Sequence, residues 1–179
     1  LMSIAIVGTG PAGAAAARGL VARGAAVTLF DEQPRSGGNI HRVGITSDPT
    51  ALETFARTSP HVELRTATRV LSTEAGGRIW FDGGDGAESE DFDAIVLACG
   101  AYDVHDPVPG LPAAGVSSAG ALQALVKGQG IVPTGAVVIA GSGPFLTVVA
   151  AGLVRAGVTV THVLDRLRWS DYLRLAPWG

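Results

Sequence analysis

Short apolar runs separated by glycine and proline set the rhythm of this chain. Ile4 to Val7 is an apolar run containing β-branched residues and ending on GTGPAG; the alanine-rich AAAARGLVARG follows, then AVTLF, which closes on Asp31. The order predicted is strand, tight turn, helix, strand, with Gly24 where the helix must end and alanines that let it lie close to a sheet. Residues 32–49 are rich in Gly, Pro and polar side chains and are expected to form an irregular, ligand-facing loop. Asp48-Pro49 before TALETFAR predicts a short helix with Asp48 near its N-cap. VELRTATRVLSTE and RIWFD read as strands, and GGDGAESED between RIWFD and FDAIVLACG as a turn. FDAIVLACG is nearly continuous in its apolar character, the pattern of a strand buried on both faces of a central sheet.

From Asp106 to Pro133 prolines and glycines thicken around one short helical stretch, AGALQALVKGQG, and this part reads as a linker. AVVIAGSGPFLTVVAAGLVRAGVTVTHVLD then repeats the opening order of apolar strand, glycine turn, small-residue helix, strand and acid. The predicted fold is α/β and Rossmann-like: a central parallel sheet with helices and a β-hairpin or meander insertion over residues 1–104, a linker over 105–133, and the first βαβ unit of a second nucleotide-binding domain over 134–179.

The first turn carries the candidate chemistry. Gly8, Gly10 and Gly13 form GxGxxG around Pro11 and Ala12. Gly8 permits the tight turn, Gly10 lets backbone approach a pyrophosphate, and Gly13 lets the helix pack against the strand. The helix N-terminus presents N–H groups and a positive dipole end to an anion. Asp31 follows about 20 residues on, where a carboxylate can accept hydrogen bonds from ribose hydroxyls and disfavours a 2′-phosphate. The motif follows a strand, opens a helix and meets an acid at the right distance, so it reads as a dinucleotide site.

Composition narrows the classes that remain. Of 179 residues 47% are hydrophobic and 16% charged, with 25 glycines, which suits an α/β domain and argues against disorder. A net charge of -3 without a Lys/Arg cluster argues against a nucleic-acid surface. No apolar stretch reaches the roughly 18 residues needed to span a bilayer, and the first apolar run leads straight into a glycine turn rather than a cleavage site, so a cytoplasmic protein is expected. The one cysteine, Cys99, supplies neither a CxxC redox pair nor a cysteine metal site, and no metal is expected.

With GPAGAAAARGLVARGAAVTLFDEQPRSGGNIHR, IVLACGAYD and VSSAGALQALVKGQGIVPTGAVVIAGSGPFLTVVAAGLVRAGVTV in view, most of the chain resembles the two-dinucleotide-domain flavoproteins of the pyridine nucleotide-disulfide oxidoreductase-like superfamily. The group it is most similar to is the large subunits of hydrogen cyanide synthase, octopine/nopaline oxidase and hydroxyproline dehydrogenase. The resemblance implies that the first unit binds FAD and that the loop after Asp31, with Glu32, Gln33, Gly37, Gly38 and Asn39, runs along the flavin side of the cofactor. Position 39 is more usually Gln in that group. It further implies that Cys99 and Gly100 end a strand passing close to FAD; Cys99 itself reads as a small buried side chain rather than a reactive thiol.

In the second turn, Gly141, Gly143 and the strand-end Asp165 mark a second nucleotide site, NAD(P) in the resembling proteins, but Leu146 stands where the third glycine belongs and counts against it. Gly84-Asp85-Gly86 is not matched to the family's late flavin motif, because it falls in a polar turn well before the second unit. Family members continue past the second βαβ unit, whereas this sequence ends at Gly179, so a fragment or a reduced subunit completed by a partner is expected. The resulting reading is an FAD-binding oxidoreductase subunit that oxidises an amino or imino acid derivative, or relays its electrons, with a second flavoprotein subunit or by self-association. The alternatives are an NAD(P)H-dependent flavoprotein reductase, a non-catalytic nucleotide-binding module, and a fragment. No catalytic side chain is identifiable; His41 and His105 read as surface or loop histidines.

Overall fold

The computed structural model describes residues 1–44, 47–84, 86–104, 107, 109–168 and 170–171, so His105 and Asp85 lie outside the described residues. The chain divides into two compact units, Leu1–Ala101 and Tyr102–Gly179.

The first unit opens with β1 (Ser3–Val7), α1 (Pro11–Val21) and β2 (Ala26–Phe30), followed by α2 (Ala51–Thr58) and β3 (Val62–Arg65). Then come β4 (Val70–Thr73), β5 (Arg78–Asp82), β6 (Ala87–Asp91) and β7 (Ala94–Leu97). A parallel sheet runs in the order β3-β2-β1-β7, and β4-β5-β6 form a separate antiparallel sheet. Successive side chains of a strand point to opposite faces, and here both faces are covered. Ile4 and Ile6 of β1, Val27 and Leu29 of β2 and Ala94 and Val96 of β7 pack with Ala17 of α1 and Leu52 of α2. On the other face Ala5, Phe30 and Ile95 meet Ile79 and Phe81 of β5 and Phe92. The parallel sheet is thus sandwiched between helices and the antiparallel sheet, which is why its strands are apolar nearly throughout. Phe30 anchors the second interface, with its ring centroid 5.3 Å from that of Phe81 and 6.0 Å from that of Phe92.

Three local expectations are corrected. The N-cap of α2 is Thr50, not Asp48: the Thr50 hydroxyl accepts from Glu53 N at 3.2 Å while the Glu53 carboxylate accepts from Thr50 N at 2.9 Å. Asp48 precedes a proline, which favours extended backbone, and only Thr50 has an acid three residues on to complete a capping box. Residues 87–91, read as part of a turn, form β6, a polar strand paired along its length with β5; its exposed acids suit a sheet edge. β7 is not buried on both faces along its length. It pairs only with β1 among the described residues, and Leu97 is 65% exposed.

The second unit holds α3 (Ala119–Gln129), β8 (Ala136–Gly141), α4 (Phe145–Arg155) and β9 (Thr159–Asp165). β8 and β9 pair in parallel, and Ile139, Leu146, Val149, Leu153 and Val158 form the core. Leu122 and Val126 of α3 pack against that core, so the helical stretch within residues 105–133 belongs to the second unit's packing.

Arg65, at the end of β3, ties the two sheets of the first unit together. Its guanidinium lies 5.2 Å from the Phe30 ring centroid and 5.6 Å from that of Phe81, and pairs with Glu63 at 2.8 Å and Glu90 of β6 at 2.7 Å. The exposed pair Arg78–Asp91 at 2.7 Å has no such apolar seat. Arg65→Ala is expected to lower unfolding stability by about 1–2 kcal/mol, from the lost cation–π contacts and ion pairs together. Arg78→Ala is expected to leave it unchanged, and urea unfolding of both variants checks the contrast.

Candidate functional site at the carboxyl ends of the parallel strands

Parallel strands β1, β2 and β7 all end on the same edge of the sheet, and the turn after each comes to one place. Gly8 follows β1 with φ +106°, and a Cβ on it would sit 2.3 Å from the Ala98 carbonyl oxygen at the end of β7. A Cβ on Gly13 would sit 2.0 Å from the Gly8 carbonyl oxygen. Neither distance accommodates a side chain, so both glycines are required by the approach of backbone to backbone. A Cβ on Gly38 would lie 2.9 Å from the Gly10 Cα, so the loop after β2 closes directly against the glycine turn. Gly37 N donates to Thr9 O at 3.1 Å and His41 N to Gly37 O at 3.0 Å, which fixes that closure.

Helix α1 begins here with Gly10 as an extended N-cap, Pro11 in its first turn, and neither a side-chain cap nor an acid in its first turn. Helix α2, by contrast, is capped by Thr50 and Glu53. An uncapped helix end surrounded by glycine backbone offers N–H donors and a positive dipole end to an anion.

Asp31 is held by the chain itself. Its Oδ2 accepts from Thr9 N at 2.8 Å and from the Thr9 hydroxyl, and its Oδ1 accepts from Gln33 N at 2.9 Å. The acid therefore braces the glycine turn against the start of the loop. Glu32 is exposed and pairs with Arg69 at 3.2 Å. Arg42 donates to Gln33 Oε1 at 3.3 Å and to Asn39 Oδ1 at 2.9 Å. Cys99 and Gly100 are exposed, so Cys99, which follows the end of β7, is not the buried side chain expected; its thiol faces Val7 O at 3.9 Å. His41 is exposed. Gly8, Gly10, Gly13, Gly38, Ala98 and Asp31 are brought together around the turn.

The sequence pattern did not point to what anchors the loop. Arg35 donates Nε to Glu53 Oε1 at 3.0 Å and Nη2 to Glu53 Oε2 at 2.9 Å, a bidentate pair with both side chains largely buried. Its other donors reach the carbonyls of Gly44, Ser47 and Asp48. Ser36 N donates to Glu53 Oε1 at 3.0 Å, and the Ser36 and Thr50 hydroxyls are hydrogen bonded. The Arg35 guanidinium and the backbone donors from Thr50 and Ser36 hold the Glu53 carboxyl well below its ordinary 4.5, at about 2, against the opposing effect of burial. The T-x-x-E signature of the capping box was available in the sequence; the arginine 18 residues earlier carried no such signal. A polar groove of about 620 Å³ beside this pair is lined by Pro34, Arg35, Pro49, Glu53, Arg57 and Glu63, and none of the glycine-turn residues contributes to it.

The second turn is built differently. Asp165 Oδ1 accepts from Gly143 N at 3.3 Å and from Leu167 N at 2.8 Å, repeating the brace made by Asp31. Leu146, however, is a buried core residue, and its Cδ2 would lie 3.1 Å from a Cβ on Gly141. A leucine side chain fills the space that Gly13 leaves for backbone in the first unit. Among the described residues no His, Cys, Asp and Glu cluster of metal-binding kind occurs, and no helix is long and apolar enough to cross a membrane.

A family model described as pyridine nucleotide-disulphide oxidoreductase matches residues 2–173. The chain is 35% identical over 180 residues to an opine oxidase subunit of Agrobacterium tumefaciens (strain Ach5), covering 89% of this chain and 36% of that protein. It is 34% identical over 174 residues to the hydrogen cyanide synthase subunit HcnB of Pseudomonas aeruginosa, covering 89% of this chain and 38% of that protein. The chain thus spans little more than a third of the length of these curated relatives. Among solved structures, L-proline dehydrogenase from P. horikoshii shares the fold with a TM-score of 0.73 at 22% identity, over 93% of this chain and 36% of that one.

Two substitutions test the packing of the turn. Gly13→Ala is expected to cost about 1–3 kcal/mol, because the added carbon overlaps the Gly8 carbonyl. Gly19→Ala, in the same helix with only ordinary contacts around its added carbon, is expected to stabilise by about 0.5–1 kcal/mol. Chemical denaturation reads both. For the loop anchor, Glu53→Gln is expected to cost about 2–3 kcal/mol near neutral pH. Since folding lowers the Glu53 pKa from 4.5 to about 2, the pair's contribution is complete above pH 4.5 and is lost as the pH falls toward 2. The wild-type stability should fall more steeply over that interval than the variant's, as measured by thermal midpoints at successive pH values.

Proposed function

The chain belongs to the pyridine nucleotide-disulphide oxidoreductase family, and we propose that it is the FAD-binding part of an oxidoreductase subunit. The observation that carries this reading is the glycine cradle: a turn in which Gly8, Gly13 and Gly38 leave no room for side chains, beside a helix end that no side chain caps. That shape admits a diphosphate against backbone N–H groups and excludes bulkier walls, so the residues present fit a dinucleotide. FAD, when bound, supplies acceptance of a hydride from substrate.

The chain's own residues bind and orient. Gly8, Gly10, Pro11, Ala12 and Gly13 form the diphosphate wall. Asp31, fixed by Thr9 and Gln33, and its neighbour Glu32 are the carboxylates available to ribose hydroxyls, and the negative charge favours an unphosphorylated ribose. Gln33, Gly38 and Asn39, on the loop pinned by Arg35 and Glu53, line the course toward the flavin, which Cys99 and Gly100 approach from the end of β7. Residues 1–104 form the cofactor-binding domain in this reading, and residues 134–179 begin a second βαβ domain.

The substrate is proposed to be an amino or imino acid derivative, and the chain to act within a hetero-oligomer. Support comes from the relatives, which are named as subunits of opine oxidase and of hydrogen cyanide synthase. The displacement of the third glycine by buried Leu146 argues against a nicotinamide nucleotide at the second turn.

The test is a visible absorption spectrum of the purified chain after incubation with FAD and removal of the excess. Retained flavin bands are expected, with a thermal midpoint raised by FAD because the ligand binds the native state. A colourless protein whose midpoint does not respond to FAD contradicts the reading; a midpoint raised by NAD alone would move the site to a different nucleotide.

A further inference from the structure

Three guanidinium groups of the first unit are half-buried among the described residues: Arg35, Arg42 and Arg65. Arg35 pairs with Glu53, and Arg65 with Glu63 and Glu90. Arg42 forms no ion pair with any described carboxylate. Its two terminal nitrogens meet neutral amide oxygens, those of Gln33 and Asn39, and its buried Nε–H has no acceptor among the described residues. A half-buried cation without a counter-charge, and with a donor unmet, is costly to maintain, and the protein solves the same problem with a carboxylate at both other positions.

Where Arg42 sits gives that charge a use. Asn39 follows Gly38, which abuts Gly10 at the uncapped start of α1, and Gly37 is bonded to Thr9 in the turn itself. The 37–42 segment therefore carries a guanidinium with no carboxylate partner among the described residues, on the loop that closes over an anion-receptive helix end. Arginine presents a planar fork of donors that matches phosphate oxygens two at a time. We propose that Arg42 binds the ligand directly, its guanidinium supplying the counter-charge for the diphosphate of the dinucleotide held at the first glycine turn. This rests on the reading of that turn as a dinucleotide site.

The experiment titrates wild type, Arg42→Gln and Arg42→Lys with FAD and with ADP, at low and at high ionic strength, following flavin fluorescence and binding heat. Arg42→Gln should weaken both ligands by about tenfold or more at low salt, and Arg42→Lys by less. The gap between wild type and Arg42→Gln should narrow as salt rises, because the lost interaction is between charges. The inference is overturned if a folded Arg42→Gln protein binds both ligands as the wild type does. It is equally overturned if the loss is the same at every ionic strength, since Arg42 would then act only through the placement of Gln33 and Asn39. Should Arg42→Gln not fold, Arg42→Lys decides: an affinity equal to wild type overturns the inference, and a loss of a few fold supports it. A wild-type chain that binds neither FAD nor ADP refutes the dinucleotide reading itself, and the inference falls with it.

Discussion

Backbone segments meet around the first glycine turn at separations that leave no space for a Cβ on Gly8, Gly13 or Gly38. The Ala98 carbonyl approaches Gly8 from the end of β7, the first turn of α1 approaches it through Gly13, and Gly38 of the loop after β2 meets Gly10. Everything proposed for the site depends on this convergence, because it brings backbone, rather than side chains, to the edge where parallel strands end and where α1 begins. The sheet supplies the direction, with β1 flanked by β2 and β7 in register, and the sandwich of helices and antiparallel strands supplies the rigidity. The structure ties the loop after β2 down with a charge. Arg35 directs its donors to Glu53 and to three loop carbonyls, so one ion pair shapes a segment rich in glycine and proline that has no helix or strand among its described residues.

The two units show how much a single position changes a shared design. Both carry a strand-end aspartate that accepts N–H donors from its glycine turn and from the residue two further on. In the first unit Gly13 lets backbone reach backbone; in the second Leu146 turns the equivalent space into apolar core with Val149 and Leu153. The brace is retained while the cradle is not. A register shift between Val137 and Val138 marks a further local difference, placing Gly141 opposite Asp165.

The legible parts of the sequence were those whose cause is local. Strand, turn, helix and strand from Ile4 to Phe30 follow from residue type and spacing within a few positions, and so do the steric roles of Gly8 and Gly13. What could not be read arises from contacts between distant positions. β6 is a strand because β5 pairs with it, although AESED has no apolar alternation to announce it. The exposure of Leu97 depends on which strand neighbours β7, and an apolar run says nothing of that. Arg35 and Arg42 look alike in a polar loop. Only their partners, a carboxylate for one and two amides for the other, separate a structural charge from one available to a ligand.

Whether a dinucleotide sits on the first glycine turn is tested by amide chemical shifts followed residue by residue during an FAD titration. The largest changes are expected on the N–H groups of residues 8–10, 12, 13 and 37–39, with the turn at 141–146 unaffected. Changes concentrated at the second turn, or none in either, would contradict a dinucleotide held by the Gly8–Gly13 cradle.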